Sequence, residues 1–294
     1  MSRLGWLVDK ARGSKKRLVV AAANDDVVLS AVKNALEYEL VHPILVGPVN
    51  KIEQLAEEVK LNLSSCEIVN VDGDKVVQVA VDIASKQGDL LMKGNVKTGD
   101  LMKVVLQEEY GFRTGSTITM VSVFDIPTYH KLLAISDAGM IIAPTLEQKI
   151  DMINVSVQVM KKLGVEIPKV AVLGAIEVPN PKMPATIEAA ILSKMNDRGQ
   201  IKGCVVDGPF ALDNAISLQA AKHKGINSPV AGDADILIMP DIEAGNIFYK
   251  AMVFLANAKV ASVILGARIP IVLTSRADSD ETKLYSIALA CLLS

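Results

Sequence analysis

Four short segments of this 294-residue chain carry more polar chemistry than a strand end or a helix start requires. The first is Met92-Lys93-Gly94-Asn95-Val96-Lys97-Thr98-Gly99. A lysine closing a strand, a glycine turn and a threonine near a helix start can aim N–H groups, a hydroxyl and an ammonium at one point. That combination suits a phosphate. The same residues also read as a capped helix with solvated lysines. Their glycine and Lys-Ser/Thr spacing is not that of a nucleoside-triphosphate loop. The second segment is Val206-Asp207-Gly208-Pro209 with Asp213-Asn214, where Asp207 ends a strand and Asp213 begins a helix. Two carboxylates there either cap the helix or position a substrate or a lysine. In the third, Asn246 and Lys250 stand four apart on one helix face and offer an amide and a cation, or a solvated pair. The fourth is Thr274-Ser275-Arg276-Ala277-Asp278-Ser279-Asp280-Glu281. It ends a strand in two hydroxyls and an arginine. Arginine forks two donors onto a phosphate, and serine donates to an anion. The acidic residues that follow cap a helix, and one of them could act as a base.

The other reactive side chains form no such constellation. His42, His130 and His223 have neither metal-ligand spacing nor a neighbouring nucleophile, and no metal site is expected. Cys66, Cys204 and Cys291 are odd in number and far apart in sequence, so no disulfide framework is expected. Cys204 begins a strand and reads as a buried small hydrophobe.

The elements that must position the four segments are legible as an alternation of short apolar runs and longer helical stretches. Strands are expected at 17–23, 42–47, 66–71, 89–94, 117–126, 131–139, 169–175, 204–209, 234–240, 262–267 and 269–275. Helices are expected from the Asn24-Asp25-Asp26 cluster to about Leu40, after Pro48, from Asp74, and at 98–109, 143–164, 184–197, 211–224, 243–257 and 280–294. Strands alternating with helices argue for α/β architecture with largely parallel pairing. Continuously apolar strands fit a sheet covered on both faces. In such sheets ligands gather at the carboxyl ends of strands, which is where the four segments fall.

Composition narrows the function class. Lys and Arg number 31 against 33 Asp and Glu, a formal charge of −2, which argues against a nucleic-acid binder. Hydrophobic residues make up 50% and charged residues 22%, the balance of a folded chain with one large or two medium domains. Mean hydropathy is +0.34, yet no apolar run approaches the ~18–20 residues that span a bilayer. The start, MSRLGWLVDKARGSKKR, is basic without an apolar core or cleavage site. A cytoplasmic protein with no membrane partner is expected.

Taken in order, MKGNVKTGDLMKVVL (92–106), ISDAGMIIAPTLEQK (135–149), VVDGPFALDNAIS (205–217), KGINSPVAGDADILIMPDIEAGNIFYKAM (224–252) and IPIVLTSRADSDETKLYSIALA (269–290) resemble the phosphate acetyl/butyryltransferase family. The wording is closer to the phosphate butyryltransferase branch. Where that branch commonly shows a Leu-Ser-His-Val-like pattern, this chain has Ile118-Thr119-Met120-Val121.

The resemblance implies reversible acyl transfer from a short-chain acyl-CoA, butyryl or branched, to inorganic phosphate, giving acyl phosphate and CoA. Phosphate acetyltransferase and a non-catalytic CoA- or anion-binding cleft protein are the alternatives. It further implies a two-domain fold like the isocitrate/isopropylmalate dehydrogenases, with largely parallel sheets and an interdomain cleft. The first domain would be 1–138 plus 266–294 and the second 139–265. A homodimer or larger homo-oligomer is implied, with coenzyme A as substrate or product and no tightly bound cofactor. By position, Ser275 and Arg276 match the family's Ser-Arg pair near the CoA thiol and the phosphate. Thr98 matches a threonine of the anion-binding turn, and Lys103 stands where the acetyl branch has an arginine. Thr282 occupies the place of that branch's catalytic aspartate, which leaves Asp280 and Glu281 as candidates for the base. Lys93, Gly94, Lys97, Thr98, Lys103, Asp207, Asp213, Asn246, Lys250 and Thr274 are expected to bind substrate.

Overall fold

The computed structural model describes residues 2–273 and 278–294. The chain divides into two compact units, one made of the residues up to Ser116 with Val260–Ser294, the other of Thr117–Lys259.

The first unit runs α1 (Gly5–Ala11), β1 (Lys16–Ala21), α2 (Asp26–Glu37), β2 (Val41–Gly47), α3 (Val49–Val59), β3 (Glu67–Asn70), α4 (Val76–Gln87), β4 (Leu90–Lys93) and α5 (Thr98–Val105). In the second unit come β5 (Thr119–Asp125), β6 (Leu132–Ser136), α6 (Leu146–Lys162), β7 (Lys169–Leu173), α7 (Pro184–Asp197), β8 (Val205–Phe210), α8 (Leu212–Ile216), α9 (Leu218–His223), β9 (Ile236–Ile238) and α10 (Ile242–Phe254). The chain then returns through β10 (Lys259–Leu265), β11 (Ile271–Val272) and α11 (Asp280–Leu293).

Within the first unit the strands stand in the order β3-β2-β1-β4-β11-β10. All neighbours are parallel except β10 and β11. The chain steps from β1 to β2 to β3 in one direction, then crosses back to place β4 on the other side of β1. Leu18, Val19 and Val20 of β1 are wholly buried, as a strand covered on both faces requires. Asp25 caps α2 by accepting from the Val28 N–H at 3.0 Å. Val28, Leu29, Val32 and Ala35 then form its buried stripe. Helix α11 buries almost every residue from Thr282 to Cys291 and packs on α1 and α2. The basic N-terminal stretch folds as α1 because Leu4, Leu7, Val8 and Ala11 make one apolar face.

The second unit has the order β5-β6-β9-β7-β8. β5 and β6 are antiparallel, and the other neighbours are parallel. Because β6 also pairs with β9, the strands at 119–125 and 132–136 belong to this unit. The two units therefore divide at 116 and 259, whereas the resemblance implies 138 and 265. Helix α6 opens on a capping box between Thr145 and Gln148. The helix expected over 184–197 is found at those bounds. The single helix expected over 211–224 is two, because the Ser217 hydroxyl accepts from the Ala220 N–H and starts α9 afresh. Among the described residues no helix is long and apolar enough to cross a membrane.

Candidate functional site at the strand ends

In the first unit Lys93, Gly94, Lys97 and Thr98 follow the end of β4, beside the end of β11. Val272 lies beside Met92, so the chain leaves β11 at the edge where Lys93 closes β4. Thr274, Ser275 and Arg276, the residues next in sequence, lie outside the described residues.

The turn after β4 is held against β1 from several sides. The Gly94 N–H donates to the Ala21 carbonyl at 2.8 Å and the Asn95 N–H to the Ala22 carbonyl at 2.7 Å. A Cβ on Gly94 would sit 2.1 Å from the Ala22 oxygen, so only glycine fits this approach. The Lys93 ammonium donates to the Gly94 carbonyl at 3.2 Å and to the Val96 carbonyl at 3.1 Å. Lys93 and Gly94 therefore brace the turn, and the N–H groups of Gly94 and Asn95 face β1. The donors left for an anion lie one step further on. Helix α5 begins after Lys97 with no side-chain cap, so among the described residues its first N–H groups, at Thr98 and Gly99, meet no capping side chain. Lys97 is exposed at this helix start, with Asp100 of the first turn as the opposing charge, while Lys103 is exposed in the last turn of α5.

Across the same unit, Ser279 caps α11 by accepting from the Thr282 N–H at 3.2 Å. The two candidate bases differ in their surroundings. Glu281 accepts from the Tyr285 hydroxyl at 2.6 Å, whereas Asp280 is exposed and accepts a long 3.5 Å bond from Ser30. Thr282 is buried, as is Lys283. Burial pushes the Lys283 ammonium below the usual lysine range, while the carboxylates of Asp278, Asp280, Asp25 and Asp26 pull it back up. Sequence reasoning passed over Lys283, and its signal was a lone cation within the apolar run that ends the chain.

In the second unit the expected residues separate. Asp207 lies inside β8, which runs on to Phe210, and accepts from Ser193 at 2.9 Å and from the Gly208 N–H at 2.8 Å. It ties β8 to α7. Asp213 shares Lys224 with Glu177. The bonds from Lys224 hold both carboxyls below their ordinary values, and those from Glu177 and Asp213 raise the lysine. The Asn246 amide donates to the Ala138 carbonyl at 3.2 Å, and the Lys250 ammonium lies 5.9 Å from the centroids of the Tyr249 and Phe254 rings.

Two further polar residues of this unit, quoted from sequence without a role of their own, are buried. Asp137 is buried and accepts from the Thr119 hydroxyl at 2.7 Å and from the N–H groups of Met120, Gly139 and Met140 at 2.8, 2.6 and 2.7 Å. A Cβ on Gly245 would lie 2.0 Å from the Asp137 carbonyl oxygen, so α10 is packed directly on this turn. Asn214 is wholly buried beside Glu177, its Nδ2 donating at 2.7 Å. Among the described residues no three His, Cys, Asp or Glu stand close enough to hold a metal ion.

The family model described as "Phosphate acetyl/butaryl transferase" matches residues 3–88 and 71–291. A phosphate acetyltransferase of Thermotoga maritima is 60% identical over 287 residues, 97% of this chain and 98% of that protein. A phosphate butyryltransferase of Clostridium acetobutylicum is 47% identical over 280 residues, 95% of this chain and 93% of its own. The crystal structure of a branched-chain phosphotransacylase from Enterococcus faecalis V583 superposes with TM-score 0.83 at 31% identity, covering 94% of this chain and 99% of that one. In fold alone, 4-hydroxythreonine-4-phosphate dehydrogenase from Klebsiella pneumoniae is similar at TM-score 0.55 and 12% identity, with 94% and 98% covered.

Proposed function

Because the chain belongs to the phosphate acetyl/butyryl transferase family and is a phosphate acyltransferase, we propose that it exchanges a butyryl or branched short-chain acyl group between coenzyme A and inorganic phosphate. The exchange runs in both directions by direct attack in a ternary complex. The observation that carries this reading is the uncapped start of α5 at the edge where the chain leaves β11 towards Ser275 and Arg276.

Both reactants are anions, so the first task is to offset their repulsion. Lys97, the first N–H groups of α5 and Arg276 take the phosphate, while Lys93 keeps the turn in shape. A phosphate oxygen then attacks the thioester carbonyl carbon. Holding both substrates makes this step internal, which contributes as much as ~7–11 kcal/mol. The tetrahedral oxyanion is met by Ser275 and neighbouring N–H groups. The C–S bond breaks, CoA leaves as a thiolate, and the acyl phosphate remains. In reverse the thiol, with a free pKa of about 8.5, gives its proton to a carboxylate. Asp280 suits that role better than Glu281, whose carboxylate already accepts from Tyr285. We also propose a homodimer or larger assembly, acting in the cytoplasm.

The 60% identity to a protein named phosphate acetyltransferase favours acetyl as a second reading of the acyl group. One assay ranks them: CoA release from acetyl-, butyryl-, isobutyryl- and isovaleryl-CoA, with and without phosphate. Phosphate-dependent release is expected, with the highest kcat/KM marking the natural acyl group. Arg276→Ala should lower kcat by about 10²–10³-fold. A folded variant with wild-type turnover would remove Arg276 from the mechanism, and no release from any thioester would remove the transferase reading.

A further inference from the structure

Helix α10 of the second unit is apolar on both its faces. On the inner face Gly245, Phe248 and Tyr249 are buried, and the two rings stand edge-on to Phe124 of β5 at 6.0 and 5.5 Å. On the outer face Glu243, Ile247, Lys250 and Phe254 follow one another at helical spacing and are all exposed. Ile247 and Phe254 are 69% and 60% exposed, and Leu255, next to them, is 87% exposed. At the start of the helix stands Ile142, 70% exposed, whose carbonyl accepts from the Ile242 N–H at 3.0 Å. Single apolar residues on a surface are ordinary, whereas a row of them along one helix marks a contact. A helix that is apolar on opposite faces belongs between two covering layers.

The charges decide what covers the outer face. Glu243 and Lys250 are the charged residues of α10, near its start and past its middle. Two turns, about 10.5 Å of helix, separate them, so they are too far apart to pair with each other. A second α10 laid antiparallel on the first, about a two-fold axis between Asn246 and Ile247, removes that obstacle. Glu243 then meets the partner's Lys250, and Lys250 meets the partner's Glu243. The same operation sets Ile247 against its own copy beside the axis. It also carries Phe254 to the level of the partner's helix start, where Ile142 is exposed. One surface thus complements itself in charge and in apolar contact, as an isologous interface requires. A lipid surface would have to take in the Glu243 carboxylate beside the apolar residues, which argues against a membrane.

We propose that the outer face of α10 is where a second copy of this chain docks, α10 against α10 and antiparallel, with Ile142, Ile247, Phe254 and Leu255 forming the apolar centre. The assignment rests on the homo-oligomeric assembly proposed above and names its contact face. Sedimentation equilibrium of the full chain tests the face and the register separately, with circular dichroism to show that each variant is folded. Wild type is expected as a dimer or a multiple of one. Ile247→Asp, at an exposed position, brings two carboxylates together near the axis and should give a folded species of half the mass. Glu243→Lys alone and Lys250→Glu alone each turn two attractions into two repulsions, and each should weaken association at least about tenfold. The double variant Glu243→Lys with Lys250→Glu restores both pairs and should associate within about threefold of wild type. An assembly untouched by Ile247→Asp would overturn the face and leave the assembly reading standing. A double variant as weak as the single ones would overturn the antiparallel register. A monomeric wild type would overturn this face and the assembly reading together.

Discussion

The Lys283 ammonium, 1% exposed on the N-terminal part of α11, donates to the carbonyl oxygen of Asp278 at 2.5 Å. A cation near a helix N-terminus opposes the helix dipole. Burial adds a desolvation cost that shows as a lowered lysine pKa. An apolar side chain of similar length would avoid both costs, so the ammonium is explained by what it holds. Asp278 stands two residues after Arg276 in the chain.

Lys283→Met is therefore expected to leave stability within about 1 kcal/mol of wild type, or to raise it. At the same time kcat should fall about tenfold, ~1.4 kcal/mol of barrier, with KM for acyl-CoA little changed. Urea unfolding and steady-state kinetics check the two halves together. A parallel loss of stability and activity would make Lys283 a purely structural residue.

Gly94, in the turn after β4, and Gly99, in the first turn of α5, should answer differently to the same change. A Cβ at Gly94 would lie 2.1 Å from the Ala22 carbonyl oxygen and 2.6 Å from that of Ala21, both backbone atoms. At Gly99 nothing lies within 4 Å. Gly94→Ala should cost about 3 kcal/mol or more, whereas Gly99→Ala should stabilise α5 by up to about 1 kcal/mol. Melting temperatures of the two variants measure the contrast.

At the opposite end of the second unit's sheet, Asp233 accepts from His130 at 2.8 Å, from Lys131 at 2.9 Å and from Lys169 at 2.5 Å. Burial raises its pKa, but these bonds together hold it well below the usual carboxylate range. A depressed folded value means stabilisation that is complete above the unfolded value near 3.9. It is lost as pH falls through the folded value. Asp233→Asn should thus be less stable than wild type at neutral pH by about 1 kcal/mol, a modest figure because the carboxylate is partly in water. The gap should close as pH drops below about 4. Denaturant midpoints between pH 7 and pH 2 test this.

Cys204 is 9% exposed, and burial pushes its thiol up to about 11, only slightly offset by Lys161. At neutral pH it is a thiol and a poor nucleophile. Cys204→Ala should keep phosphate-dependent CoA release within about twofold of wild type, ~0.4 kcal/mol. A collapse of kcat without unfolding would reopen an acyl-cysteine route.

Much of this protein was legible in its residues. Continuous apolar runs marked the buried strands, and the Asn24-Asp25-Asp26 cluster announced the start of α2 because a cap acts on N–H groups two or three residues away. The turn at Lys93-Gly94 was legible for the same local reason. Partners distant in sequence were not. Asp207 and Asn246 looked free for substrate, yet the fold brings Ser193 to one and the Ala138 carbonyl to the other. The role of Asp137 could not be read, because its Thr119 and Met120 donors arrive from another strand. Local hydrogen bonds and periodicity are written in adjacent residues, so the sequence alone determined the elements and, through its motifs, the family. Which polar groups are spent on holding backbone, and which face a cavity, depends on strand order and close packing, and only the tertiary structure decided that.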